Sequence, residues 1–124
     1  MRTSISKKNP YWVSKHKFLE LYHFSLQYKD WEKEIAAVDY IPEDFEFDHT
    51  GETAARLALL KGNCELVKQC CRDADKALHR FIFVAVTEGC SYDTLRSKYH
   101  IPCGKDYYFV RYRKYFWLLS RRRS

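Results

Sequence analysis

The side chains whose chemistry most clearly suggests a function are the cations near the C-terminal end of the sequence. Residues 101–124 hold seven of them against one anion, Asp106: Lys105, Arg111, Arg113, Lys114, Arg121, Arg122 and Arg123. The formal net charge of the whole chain is +6, so the remaining residues balance one another. A basic segment beside a neutral body is typical of a protein that binds a polyanion. The alternative interpretation is that these cations only solvate an ordinary surface helix.

The pattern from Lys105 onwards predicts a helix that carries most of these cations. Apolar residues follow at spacings of three and four, as on one face of a helix: Phe109, Tyr112, Phe116 and Leu119. The N-terminal half of a recognition helix meets base edges in DNA. We therefore predict that Lys105, Asp106, Tyr107 and Arg111 face the DNA, with Arg111 bonding a guanine. The predicted backbone contacts are Ser91, Tyr92, Arg96, Lys98, Lys105, Lys114, Arg121, Arg122 and Arg123.

Two shorter predicted helices precede this basic helix. The first has its apolar residues within positions 77–86. It ends at Glu88-Gly89, because glycine is common just past a helix C-terminus. Ser91 is a good N-cap for the second, over residues 92–99, and residues 100–104 contain the Pro and Gly of a turn. Three helices joined by short turns, the last one basic, predict a helix-turn-helix.

The segment EGCSYDTLRSKYHIPCGKDYYFVRYRKYFWLL, residues 88–119, resembles the C-terminal helix-turn-helix of sigma factor region four. It is similar also to small phage late-transcription activators of the RinA and ArpU type. The matching positions are Gly89, Ser91, Tyr92, Leu95 and Ile101. Pro102-Cys103-Gly104 replaces the usual Val-Ser turn of those families. The resemblance covers residues 77–124 and implies a phage or mobile-element regulator of transcription that contacts RNA polymerase near a promoter.

The N-terminal part of the chain predicts further helices and no strands. Residues 11–38 have helical spacing, with Ser14 as a cap and a second start near Lys29-Asp30. The acidic residues 39–50 predict a surface loop, and a long helix follows from Thr50 or Gly51 to a break at residues 73–75. We predict one all-α domain of five or six helices. Residues 1–75 form a helical packing or interaction module, and residues 76–124 form the helix-turn-helix with its basic C-terminal helix.

Several classes of protein are disfavoured by the same sequence. No apolar run is long enough to span a membrane, and no secretory leader follows the first residues. Five cysteines without a Cys-x-x-Cys pair favour reduced thiols in the cytoplasm of the host cell. The five histidines show no metal-ligand spacing, and no nucleophile or phosphate-loop motif is present. We therefore expect no metal, no cofactor and no enzymatic activity.

The function we predict is regulation of transcription by a protein that reads duplex DNA with its basic C-terminal helix. An alternative of a different class is a small phage-encoded inhibitor of the anti-CRISPR or anti-restriction type. Such an inhibitor would bind a host nucleic-acid machine and show little specific affinity for duplex DNA. A third hypothesis is an RNA or single-strand binder, in which exposed aromatic side chains such as Tyr107 and Tyr108 stack on bases.

Overall fold

The computed structural model describes residues 8–39 and 51–123, and this part of the chain contains six α-helices and no strand. The helices are α1 (Lys15–Leu26), α2 (Tyr28–Asp39), α3 (Gly51–Ala74), α4 (His79–Glu88), α5 (Tyr92–Tyr99) and α6 (Lys105–Arg122). The predicted all-α class is confirmed. The predicted loop at residues 39–50 lies, apart from Asp39 at the end of α2, outside the described residues.

Helix starts follow the capping residues that the sequence offers. Ser14 is the N-cap of α1, and its Oγ accepts the backbone N–H of Lys17 at 3.4 Å. Ser91 caps α5 in the same way and accepts the backbone N–H of Thr94 at 3.2 Å. Both caps satisfy a backbone donor that the first turn of a helix leaves without an intrahelical partner.

Two helices end in the left-handed backbone region. Gly89 has φ 72° and closes α4 by donating its N–H to the Ala85 carbonyl at 2.9 Å. His100 has φ 56° and closes α5 by donating its backbone N–H to the Leu95 carbonyl. This conformation is ordinary for glycine and unfavourable for histidine, so the turn after α5 holds a strained residue.

The core is organised around α6, which packs against α1, α3 and α4. Its buried side chains are Tyr108, Tyr112, Tyr115, Phe116 and Leu119. The predicted stripe was right for Tyr112, Phe116 and Leu119. Phe109 is half-buried and packs against the edge of the core, and the predicted stripe missed Tyr108 and Tyr115. Tyr108 and Phe109 are adjacent aromatic residues at the start of the helix, so the spacing pattern alone does not decide which of them faces the core.

A polar contact lies in the middle of this core, between α6 and α1. Ser25 and Tyr115 are both fully buried, and their hydroxyl oxygens are 2.7 Å apart. Since Ser25 Oγ donates to the Leu21 carbonyl at 2.9 Å, the Tyr115 hydroxyl donates to Ser25. Beside this pair the rings of Phe18 and Phe116 have centroids 4.6 Å apart. Burial without loss of hydrogen bonds stabilises the contact between α1 and α6.

In the part of the chain that the structure describes, no helix combines the length and the apolar character that crossing a lipid bilayer requires.

Candidate nucleic-acid interface

The junction of α5 and α6 is held together by Tyr92. Its ring is buried with its centroid 5.5 Å from that of Tyr108, and its hydroxyl donates to the Cys103 carbonyl at 2.6 Å. The prediction that Tyr92 contacts the DNA backbone is therefore corrected for its hydroxyl, because the Cys103 carbonyl already accepts the one proton it can donate. Ser91 is exposed, although its Oγ already accepts the Thr94 N–H.

Three of the predicted cations lie exposed on α5 and at the start of α6. They are Arg96, Lys98 and Lys105, and we refer to them as the basic corner. Within the described residues, no carboxylate forms an ion pair with any of them, and Lys98 lies over the Tyr99 ring with its Nζ 5.4 Å from the centroid. Unpaired and exposed cations of this kind are available to an external anion.

The predicted base-reading residue Arg111 is instead held by the protein itself. Its Nε lies 3.3 Å from Asp75 Oδ2, and its guanidinium carbon is 5.1 Å from the centroid of the Tyr107 ring. The Nε atom is buried and makes no well-aligned hydrogen bond, so its contact with Asp75 is chiefly ionic. For Arg111 to reach a guanine, as predicted, it would have to leave the Asp75 carboxylate without its cation.

Asp75 gathers several donors at the junction of α3 and α4. Its Oδ1 accepts the backbone N–H groups of Ala77 and Leu78 at 2.8 and 2.9 Å, and Oδ2 accepts the Tyr107 hydroxyl at 2.9 Å. Burial by itself raises the pKa of Asp75, but these hydrogen bonds and the Arg111 charge outweigh it and lower the pKa below its ordinary value. The carboxylate therefore stays ionised and fixes α6 to the start of α4.

The arginines at the other end of α6 are also engaged within the protein. Arg122 pairs with Asp73 at 2.7 Å, and Arg123 pairs with Glu20 and lies 4.1 Å above the Phe24 ring centroid. Hydrogen bonds from Arg122 and Gln69 lower the pKa of Asp73, and those from Lys17 and Arg123 lower the pKa of Glu20. Arg121 is exposed beside the Trp117 ring, and Lys114 lies over the Tyr11 ring.

The predicted site residues of α6 are spread along the helix, with Lys105 at its start and Arg122 at its end. At 1.5 Å per residue, Lys105 and Arg122 lie about 25 Å apart along the helix axis. Lys105, Asp106 and Tyr107 are exposed at the N-terminal end, where the basic corner lies. Val110 is exposed there too, at 38% of its surface, and the sequence reasoning had not singled it out.

A cavity between α1, α5 and α6 was also missed, and we call it the aromatic cavity. It has a volume of about 250 Å³. Its lining consists of Tyr22, Gly89, Cys90, Ser91, Tyr92, Asp93, Lys105, Tyr108, Phe109 and Tyr112. The aromatic residues at the start of α6 were visible in the sequence, but Tyr22 comes from α1, and no local pattern links it to them.

A second concave surface, which we call the α3–α4 groove, has a volume of about 320 Å³. Cys71, Phe83 and Val84 form its apolar part. Its cationic and imidazole side chains are Lys68, Arg72, His79 and Arg80. The alternation of cations and apolar residues along α3 and α4 was present in the sequence, although it has the same appearance as any amphipathic helix.

The cysteines lie free and mostly buried in the described residues. All five thiols are free, and burial raises the pKa of Cys70 to about 11 and that of Cys71 further. A thiol with a raised pKa is a poor nucleophile at neutral pH because little thiolate is present. No three His, Cys, Asp or Glu side chains of residues 8–39 and 51–123 come together as metal ligands.

Comparison of the chain with protein-family models, with curated proteins and with solved structures finds no match. The resemblance to sigma factor region four accordingly stays a prediction based on residues 88–119. The case for any function rests on the side chains and surfaces described above.

Proposed function

We propose that this protein binds duplex DNA through the basic corner and regulates transcription in the cytoplasm of a host cell. The observation that carries the proposal is that Arg96, Lys98 and Lys105 are exposed without a carboxylate partner among the described residues. Arg111, Arg122 and Arg123, in contrast, are neutralised by carboxylates. Cations that remain unpaired displace the counterions of DNA, which favours binding.

The first turn of α6 supports phosphate binding at this corner. Lys105 is its first residue, and the N-cap Gly104 has no side chain that could accept the free backbone N–H groups. A helix N-terminus with free N–H groups and a positive dipole attracts an anion. In the proposed complex, Lys105 and these N–H groups bind one phosphate, while Arg96 and Lys98 bind others along the backbone.

Sequence reading is assigned to the exposed residues of the same half of α6. Val110 could contact a thymine methyl group, and the Asp106 carboxylate could accept a cytosine amino group. Arg111 has a positioning role in this scheme, because its contacts with Asp75 and Tyr107 set the orientation of α6. Loss of Arg111 is therefore expected to affect every DNA sequence to the same extent.

The experiment is a salt titration of duplex DNA binding for the wild type and for Arg96→Ala, Lys98→Ala and Lys105→Ala. Each variant is expected to reduce the logarithmic salt slope by about 0.9, since each removes one phosphate contact. Lys33→Ala is the matched control, because Lys33 is an exposed cation on α2 that lies outside the basic corner. An equal loss in Lys33→Ala would show that only the net charge matters and would contradict the proposed interface.

The α3–α4 groove favours a second candidate function, which is inhibition of a host nucleic-acid machine by binding to its protein. The apolar Phe83 and Val84 are flanked by Lys68, Arg72 and Arg80, a combination that complements an acidic amphipathic segment. Arg80→Glu separates the two candidates. It is expected to leave duplex DNA binding by the basic corner intact and to abolish binding of a protein partner in this groove.

A further inference from the structure

The aromatic cavity offers stacking surfaces in a space of the size of one ring system with its substituents. Tyr92 and Tyr108 have ring centroids 5.5 Å apart, and Tyr108 and Tyr112 have centroids 5.6 Å apart with an interplanar angle of 31°. Because the Tyr92, Tyr108 and Tyr112 rings are buried against one another, the ring surface that a ligand can contact comes chiefly from Tyr22 and Phe109, which are half-buried. A volume of about 250 Å³ lies just below the usual range for small-molecule sites, which suits a compact planar ligand.

The cavity is lined by one cation and one carboxylate, Lys105 and Asp93. Lys105 supplies a cation at the first turn of α6, whose N-terminal backbone N–H groups have no side-chain cap. Asp93, in the first turn of α5, supplies a carboxylate that can accept hydrogen bonds. The Tyr92 hydroxyl is already donated to the Cys103 carbonyl, so it presents a ring to the cavity and no free donor.

We propose that the aromatic cavity binds a nucleotide, with the base against the half-buried rings of Tyr22 and Phe109 and the phosphate at Lys105. Base–aromatic stacking accepts any base, because every base has a π face. Asp93 can accept the exocyclic amino group of adenine, guanine or cytosine, and its negative charge directs the phosphate towards Lys105. This combination of an aromatic lining, one acceptor and one cation matches the three parts of a nucleotide.

The same chemistry has two sources, a free mononucleotide or an unpaired nucleotide within a single strand. A base stacked inside a duplex cannot enter the cavity unless it leaves the stack. The inference shares Lys105 with the proposed duplex interface but does not rest on duplex binding. The two proposals can therefore fail separately.

The first test is calorimetric titration of the full chain with AMP, CMP, adenosine and indole, and with a short single-stranded oligonucleotide. AMP is expected to bind, and Lys105→Ala is expected to weaken AMP roughly tenfold while leaving adenosine unchanged, because only AMP carries a phosphate. Tighter binding of the oligonucleotide than of AMP identifies a strand as the source, and the reverse identifies the free nucleotide. Lys33→Ala is the control and is expected to bind AMP as the wild type does.

The second test uses the half-buried Cys90 in the cavity lining. Cys103, the other half-buried thiol, is first replaced in Cys103→Ser so that only Cys90 reacts. In this background AMP is expected to slow the alkylation of Cys90. In a separate variant, Cys90→Leu is expected to block AMP binding by occupying the cavity. Circular dichroism verifies that each variant is folded. The inference is overturned if no nucleotide saturates the protein at millimolar concentration, if indole binds as tightly as AMP, or if AMP does not protect Cys90. Loss of duplex binding with retention of AMP binding overturns only the proposed duplex interface.

Discussion

Asp75 illustrates how one side chain can decide the position of a helix. Its carboxylate accepts the N–H groups of Ala77 and Leu78 in the turn before α4 and also holds Tyr107 and Arg111 of α6. The side chain is 8% exposed, so water replaces these contacts poorly if they are lost. A residue that the sequence marked only as the end of α3 therefore connects three helices.

Asp75→Asn is expected to lower the free energy of unfolding at neutral pH by about 1–2 kcal/mol. The reason is that the hydrogen bonds from the Ala77 and Leu78 N–H groups and the ionic contact with Arg111 weaken. The pKa of Asp75 is lowered below 3.8 in the folded protein, so its ionisation stabilises the fold at pH values above 3.8. That stabilisation disappears as the pH falls through the folded pKa. Urea unfolding measured from neutral pH into the acid range should show the difference between wild type and variant shrinking towards zero.

The matched control for this pH dependence is Glu88→Gln, which removes an exposed carboxylate at the end of α4. It is expected to change the free energy of unfolding by less than about 0.5 kcal/mol. A difference for Asp75→Asn that stays constant from neutral to acid pH would contradict the role assigned to its charge.

Among the helices, α4 and α5 end in the same backbone conformation with different residues. Gly89 adopts φ 72° at no steric cost, and an added Cβ would lie 3.2 Å from the Tyr22 hydroxyl oxygen. His100 adopts φ 56° with a Cβ that disfavours this region. The turn that separates α5 from α6 is consequently less stable than its hydrogen bonds alone would make it.

The two positions are expected to respond in opposite directions. His100→Gly should raise the free energy of unfolding by about 0.5–1 kcal/mol, since the left-handed strain is relieved. Gly89→Ala should lower it by about 1–2 kcal/mol, because the new Cβ adds strain and crowds Tyr22. Chemical denaturation of both variants beside the wild type tests this. Destabilisation by His100→Gly would show that its imidazole makes a contact worth more than the strain.

At the scale of the whole molecule, the C-terminal helices share one core with the N-terminal ones. The buried cluster of the described residues draws side chains from all six helices. α6 contacts α3 most extensively and α1 as well, and the Tyr115–Ser25 hydrogen bond and two ion pairs tie its C-terminal half to them. The predicted division into residues 1–75 and 76–124 therefore marks two parts of the sequence that contribute to one core.

A fragment of residues 76–124 is expected to lose most of its helical circular dichroism. In isolation it would expose Tyr112, Tyr115, Phe116 and Leu119, which the intact protein buries. Adding the fragment 1–75 should restore helicity, because it supplies the surfaces of α1 and α3. A fragment 76–124 that is fully helical alone would contradict this dependence and would show that these residues fold autonomously.

The starts of α1 and α5 and the end of α4 followed from the sequence, because capping depends on residues a few positions apart. Ser14 and Ser91 start α1 and α5 by accepting an N–H three residues later, and Gly89 ends α4. The all-α class followed from the same local signals. The exposure of Lys105, Asp106 and Tyr107 was also predicted, since they are the first residues of a helix that enters the core later.

Only the tertiary structure decided which cations remain available and which cavities form. Arg111 and Arg123 are paired with Asp75 and Glu20, which are far from them in sequence. The aromatic cavity needs Tyr22 from α1 beside the start of α6. The physical reason is that charge neutralisation and burial depend on contacts between distant residues, whereas helix formation and capping depend on neighbours along the chain.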